Sequence, residues 1–493
     1  MAERTWVRRA GPLGLLEQDW QTRYGDHAVQ CFTETGFVVT RFDDHRIDDG
    51  WLYVRLPVET DEELTARSEA YQARTLTFFE EGTSHWEAEV EPLTRANITR
   101  MRRSRPRSEQ LPSLAKHIDV CLDAAANTLG YLHWIMACGF HGKWQETFAE
   151  ITGNPEIEAA ALVGGLDHAS NRLVRDLRKV ARLRQQDDAG FDAAFASLLQ
   201  RWGRRTGKGY GSVDAFSSPT WTMDPSLALA AVNAHARADL DEAARRDRRV
   251  RSARRRALTS LRRSLSAAPE LLERFERAHT IAVSNVKAME NHNALMEQET
   301  AGLLREAVHR AGVALVAAGV VDKPTDVFHL SVAEIAAPPS DVRRLIAERK
   351  EMRKRQAAKP PPPFFGPEPP TPHPAPAEAA EASTEPGVLV GVSGSPGLAT
   401  GRAVVADADA LAMPEVNPGD ILVARDAGPA WTPIFAVLGG IVLDTGAVSQ
   451  HAAIVARQLG IPAVLGTTTA TTAIANGTTI TVDGTQGRVE TAV

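Results

Sequence analysis

The chain has 493 residues and only three cysteines, Cys31, Cys121 and Cys138, with no CxxC pair and no zinc-like spacing. That excludes a disulfide framework or a structural zinc site as the organising device, and no metal ligands are assigned in this chain. Long apolar runs are absent too. The longest, at residues 313–321, is far short of the roughly 20 residues a membrane span needs. The N-terminus has no apolar stretch of signal-peptide length and carries an acid at Glu3. A soluble, cytoplasmic protein is expected. Net charge is −6 and the pI about 6.2, which gives no general pull toward nucleic acid or anionic membrane. There is no Walker A pattern, no glycine-rich turn opening a helix after a strand, and no strand–helix alternation of a TIM barrel.

What is present divides into four regions. Residues 1–57 read as a small α/β or β segment, with β-branched and aromatic runs at 31–41 and 51–57 separated by aspartates and Gly50. Residues 58–356 read as helices, with apolar residues at three- and four-residue steps such as Leu173, Leu177, Val180 and Leu183. Residues 357–387 are proline-rich, which ends a helix and favours an extended linker spanning up to roughly 90 Å. A passive tether is the plainer reading of the same composition. Residues 388–493 read as a compact α/β domain, with strands at 401–406, 420–424, 440–443, 463–465 and 478–482. Four arginines against eight acids give this last region a net charge of −4. The fold class is therefore multidomain α plus α/β: a large helical domain joined by a linker to a small domain.

One segment carries the chemistry. A strand, Ile441-Val442-Leu443, ends at Asp444-Thr445-Gly446, and Ser449 offers a helix cap. His451 then falls in the first turn of a helix that Gly460 and Pro462 terminate. The positive end of the helix dipole disfavours an imidazolium there, so the ring is kept neutral and nucleophilic. The same free amides suit a phosphoryl group once it is attached. A structural capping histidine is the ordinary alternative for a lone residue of this kind.

The surrounding residues decide between the two. The segment resembles the mobile, phosphohistidine-bearing domain of PEP-utilising enzymes. There a strand ends in T-G-G, a histidine leads H-A-A-[IV]-[VL]-A-R, and G-I-P-A-V-[VL]-G follows. This chain has Thr445-Gly446, then His451-Ala452-Ala453-Ile454-Val455-Ala456-Arg457, then Gly460-Ile461-Pro462-Ala463-Val464-Leu465-Gly466. Ser395-Pro396-Gly397, Pro418-Gly419-Asp420 and Pro429-Ala430-Trp431-Thr432-Pro433 match as well. Ala447 and Gln450 replace the usual second glycine and serine, which shifts the expected acceptor from pyruvate to an organic hydroxyl.

The resemblance implies a swivelling domain whose His451 carries a phosphoryl group, with Thr445, Gly446, Ser449, Gln450 and Arg457 around the phosphate. It also implies an ATP-grasp unit resembling the N-terminal part of PEP synthase, which is not found in this chain. ATP and Mg²⁺ are therefore expected on a separate partner, and a small hydroxylated compound is the expected acceptor. The helical region resembles the acceptor domain of proteins of the rifampicin phosphotransferase and phenylphosphate synthase type. It does so through Leu198-Leu199-Gln200-Arg201-Trp202-Gly203, Glu290-Asn291-His292-Asn293 and Asp326-Val327-Phe328-His329-Leu330.

A hydroxyl acceptor needs a base, and His292 between two asparagines is the candidate. His133, Trp134, His168 and Trp202 are candidates for the acceptor pocket, with packing as the plain alternative for each. The ten arginines of residues 245–263 lack interleaved aromatics, so a solvated or partner-binding helix is expected rather than a nucleic-acid site. Two other functions fit the same residues: a non-catalytic binding or regulatory relative, and a phosphorylation-driven dehydratase or lyase.

Overall fold

The computed structural model describes the chain except residues 1–4, 11–12, 36–41, 57–59, 61, 64, 72, 74–85, 134–142, 153–160, 207–217, 367–384, 386, 407–413, 447–449 and 492–493. In chain order its main elements begin with β1 (Thr5–Ala10), α1 (Leu15–Thr35), β2 (Asp44–Asp48), β3 (Trp51–Leu56), α2 (Glu91–Ser104), α3 (Leu111–Asn127) and α4 (Lys143–Thr152). There follow α5 (Ala169–Gln185), α6 (Phe191–Trp202), α7 (Pro225–Ala236), α8 (Leu240–Ser264), α9 (Pro269–His292), α10 (Ala301–Ala317), α11 (Val332–Ala336) and α12 (Val342–Ala358). Strands then dominate: β4 (Phe364–Phe365), β5 (Val388–Val390), β6 (Val392–Ser395), β7 (Leu398–Val405), β8 (Ile421–Ala424), β9 (Gly440–Leu443), β10 (Ala463–Leu465), β11 (Thr479–Asp483) and β12 (Arg488–Thr491). Among them lie α13 (Thr432–Phe435), α14 (His451–Leu459) and α15 (Ala470–Ala473). No helix among the described residues is long and apolar enough to cross a membrane.

The chain forms two compact units, and the helical region is divided between them. One comprises residues 1–141, 208–220 and 295–371; the other comprises 142–207, 221–294 and 372–493.

The first unit holds a four-stranded antiparallel sheet in the order β2-β3-β1-β4. Asp48 pairs with Trp51, and the two residues between them, Asp49 and Gly50, have φ of 45° and 77°. Two positive φ values at the centre of a two-residue loop match the right-handed twist of the flanking strands. Residues 31–41, expected as a strand, differ. Cys31 to Thr35 form the last turn of α1, and residues 36–41 lie outside the described part. Burial at Leu16, Trp20, Ala28, Cys31 and Phe32 recurs at helical steps, so packing outweighs the β preference of that short run.

The proline-rich stretch begins inside this unit. Backbone N–H of Arg8 donates to the Pro363 carbonyl at 2.8 Å, and β4 pairs with β1 through Trp6–Phe365 and Val7–Phe364. Proline has no N–H but keeps its carbonyl, so an edge position suits it. Residues 367–384 of the expected linker lie outside the described part.

In the second unit α5, α6 and α7 share a core of Leu173, Leu177, Val180, Trp202, Trp221, Ala228 and Val232. The C-terminal domain is built on an eight-stranded mixed sheet in the order β5-β12-β11-β7-β8-β9-β10-β6, parallel from β7 through β10. The five strands expected from sequence are all present. β5, β6 and β12 are additional, each of three or four residues, too short for a period-two signal. One face of the sheet packs Leu422, Ile441 and Leu443 against Ala453, Val455 and Leu459 of α14, and this core also takes in Val174 of α5 and Ala234 of α7. The C-terminal domain thus sits directly on the helices of its own unit.

Candidate active site

The residue that starts α14 is His451. Gln450 occupies the cap position with φ −76° and ψ 157° and makes no side-chain capping bond. The expected cap, Ser449, lies outside the described residues. Gln450 thus offers no side-chain acceptor to the first amides of α14, at the positive end of the helix. Gly460 closes the helix with φ 67°, a left-handed conformation that favours glycine.

The His451 side chain is only 11% exposed, and three side chains hold its ring. Oε1 of Glu290, near the end of α9, lies 3.1 Å from Nδ1, and Nδ2 of Asn293 lies 3.0 Å from the same nitrogen. Oγ1 of Thr432, the first residue of α13, lies 2.9 Å from Nε2. Glu290 is fully buried, and the Ser170 hydroxyl donates to its other oxygen. Burial alone raises this carboxyl's pKa, but the His451 ring and the bond from Ser170 outweigh it, and the net shift is downward. An ionised carboxylate only accepts, so the His451 proton sits on Nδ1. Nε2 then carries the lone pair and faces the Thr432 hydroxyl, which donates to it.

A second layer fixes the first. The Oδ1 atom of Asn291 accepts from the Ala169 amide at 3.1 Å and from Arg172 at 3.0 Å. This ties the start of α5 to the end of α9. His168 occupies the cap position of α5 without a side-chain capping bond and is fully buried; burial, above all, pushes its pKa down, against the Glu290 carboxylate, which acts in the opposite sense.

The other sequence candidates are placed as follows. His292 is buried at the end of α9, two residues past Glu290, which is about 200° further round the helix. Trp202 belongs to the helical core, where its indole N–H donates to Asp176 at 3.0 Å. His133 belongs to the first unit, 3.9 Å from Glu297, and burial pushes its pKa down to about 4. Trp134 lies outside the described residues. Thr445 is exposed, and its hydroxyl donates to the Arg425 carbonyl at 2.9 Å. Gly446 has φ 132°, and a Cβ there would lie 3.1 Å from Oε1 of Gln450. Arg457 donates to the Gly394 carbonyl at 2.7 Å, tying α14 to β6.

Sequence reasoning singled out neither Glu290, Asn293 and Thr432 nor Ser170. Three of them stood inside the quoted runs Glu290-Asn291-His292-Asn293 and Pro429-Ala430-Trp431-Thr432-Pro433. The histidine in the first run drew the attention that its glutamate warranted.

Residues 416–487 match the family described as PEP-utilising enzyme, mobile domain, and His451 lies within the match. The chain carries a PEP-utilising enzyme mobile domain. It is 28% identical over 412 residues to chondramide synthase of Chondromyces crocatus, covering 76% of this chain and 10% of that protein. It is 32% identical over 308 residues to a rifampicin phosphotransferase of Streptomyces, covering 60% of this chain and 34% of that protein. Phosphoenolpyruvate synthase of Aeropyrum pernix is 47% identical over 110 residues, which are 22% of this chain and 13% of that protein. The chain thus spans between 10% and 34% of the length of these relatives. The mobile domain is here seated on α5, α7 and α9, with its histidine ring against a buried carboxylate.

Proposed function

We propose that this chain is the carrier and acceptor-binding component of a dikinase-like phosphotransferase. His451 takes a phosphoryl group that originates in ATP and passes it to a hydroxyl of a small organic compound. The observation that carries the reading is the buried Glu290–His451 pair, which places the proton on Nδ1 and leaves Nε2 as the nucleophile. Similarity to a rifampicin phosphotransferase and to a phosphoenolpyruvate synthase supports phosphoryl transfer by the mobile domain.

In the first half-reaction a P–O bond of the nucleotide breaks as an Nε2–P bond forms, and the rest of the nucleotide leaves with the bond's electron pair on its oxygen. ATP and Mg²⁺ belong to a separate ATP-grasp partner. Glu290, the carboxylate hydrogen-bonded to His451, is already engaged by His451 and Ser170, so this site offers no free carboxylate for a metal. The domain then moves on the proline-rich connection to the helical station. There the acceptor oxygen attacks phosphorus and the N–P bond breaks. Glu290 holds the Nδ1 proton through this step, so the ring departs as neutral imidazole. The hydroxyl proton passes to a base. His292, buried at the end of α9, is the candidate base, and His168, buried at the start of α5, is a second.

Protein phosphorylated on His451 with phosphoramidate, then mixed with hydroxylated compounds, tests the transfer half-reaction. Loss of the phosphoryl mass from the protein with its gain on one compound is expected. Loss to water alone with every compound would overturn the acceptor reading.

A further inference from the structure

Besides the Glu290 and Asn293 bonds to His451, several side chains join the mobile domain to the helices through main-chain groups. Gln458 of α14, 3% exposed, accepts from the Leu166 amide at 2.9 Å and donates to the Val163 carbonyl at 2.6 Å. His235 of α7, 1% exposed, donates from Nε2 to the Pro433 carbonyl at 2.8 Å. Arg246 of α8 donates to the Ala436 carbonyl at 2.6 Å, and Arg237 to the Val416 carbonyl at 3.0 Å. The apolar core they share takes in Val174 and Ala234, with Ala238 partly buried beside them. None of these residues is hydrogen-bonded to the His451 ring. Yet Pro433 follows Thr432, the partner of Nε2, and Gln458 lies on the helix that His451 starts.

We propose that Gln458, His235, Arg246 and Arg237 are positioning residues that latch the mobile domain on its acceptor station and close the His451 ring to outside reagents. The chemistry of the contact fits a seat that opens. Main-chain hydrogen bonds exchange with water at small net cost. Thr432 occupies the hydrogen-bonding position at Nε2, where a phosphoryl group must enter, so the closed seat is also a shielded nucleophile.

The inference rests on the proposed travel of the mobile domain, but its test needs neither partner nor acceptor. Phosphoramidate labels exposed histidine nitrogens directly. Intact mass follows labelling of the full chain, with His451→Ala identifying the signal from that ring. Gln458→Leu, which keeps volume and removes the amide, and Arg237→Ala, at the exposed edge of the seat, are each expected to label about tenfold faster than wild type, as the loss of a net hydrogen bond implies. Both variants are expected to keep a cooperative thermal transition by circular dichroism. Equal labelling rates would overturn the latch, as would faster labelling found only in variants that have lost that transition. Failure of either kind leaves phosphoryl transfer standing, and a chain that no partner charges still reports whether the latch exists.

Discussion

A histidine with a buried carboxylate on one nitrogen has its proton placed for it. In this chain Glu290 does so for His451 across 161 residues of sequence. Glu290→Gln keeps the shape and an acceptor but removes the charge, so either tautomer becomes tolerable. Single-turnover transfer from phosphorylated protein is expected to slow by about 10²-fold or more. Rates within threefold of wild type would remove the dyad from the mechanism. Thr432→Val, which deletes the donor to Nε2 and keeps the volume, is expected to alter labelling of His451 by phosphoramidate and leave the fold intact. His451 was legible because helix start, small neighbours and terminator lie within one run of sequence. Its partner was not, because only tertiary packing brings α9 to α14.

At the scale of elements, α14 is the unit that matters, and its ends are set locally. Gly460 adopts φ 67° at the helix terminus, and a Cβ there would lie 2.8 Å from Cγ2 of Val250 on α8. Gly460→Ala is expected to cost about 1–2 kcal/mol from backbone strain alone. Urea denaturation followed by circular dichroism measures it, and an unchanged midpoint would contradict the strained cap. Such terminators, with the apolar strand Ile441-Val442-Leu443, made the middle of the mobile domain readable. The capping residue was not: Gln450 holds the position by backbone conformation alone, without the side-chain bond that marks a cap in sequence. The strands β5 and β6 escaped for a related reason, since their pairing comes from distant neighbours, and β12, which also closes a hairpin with β11, is only four residues long.

At the scale of the molecule, buried histidines tie stability to pH. Burial, chiefly, pushes the pKa of His235 from 6.5 down to about 4, against a hydrogen bond to Pro433 that acts in the opposite sense. A folded-state pKa below the unfolded one means the unfolded chain takes the proton first as pH falls. The stability is then complete above about 6.5, is lost progressively between about 6.5 and 4, and levels off below. The loss from His235 is on the order of 3 kcal/mol. The denaturation midpoint of the second unit is expected to fall across that window, and His235→Gln to flatten the fall; a flat profile in wild type would contradict a neutral, buried His235. Composition and motif showed a helical part and an α/β part but not where the units divide. The helical region contributes to both, and Pro363 is bonded to β1 rather than starting a free linker. Those are contacts between segments hundreds of residues apart, which no local pattern encodes.

The most direct measurement is the intact mass of this chain after incubation with ATP, Mg²⁺ and ATP-grasp proteins from the same source, with His451→Ala in parallel. One acid-labile, base-stable phosphoryl group on the wild type and none on the variant is expected. An unmodified wild type with every such protein, or equal labelling of both chains, would contradict the assignment of His451 as the carrier.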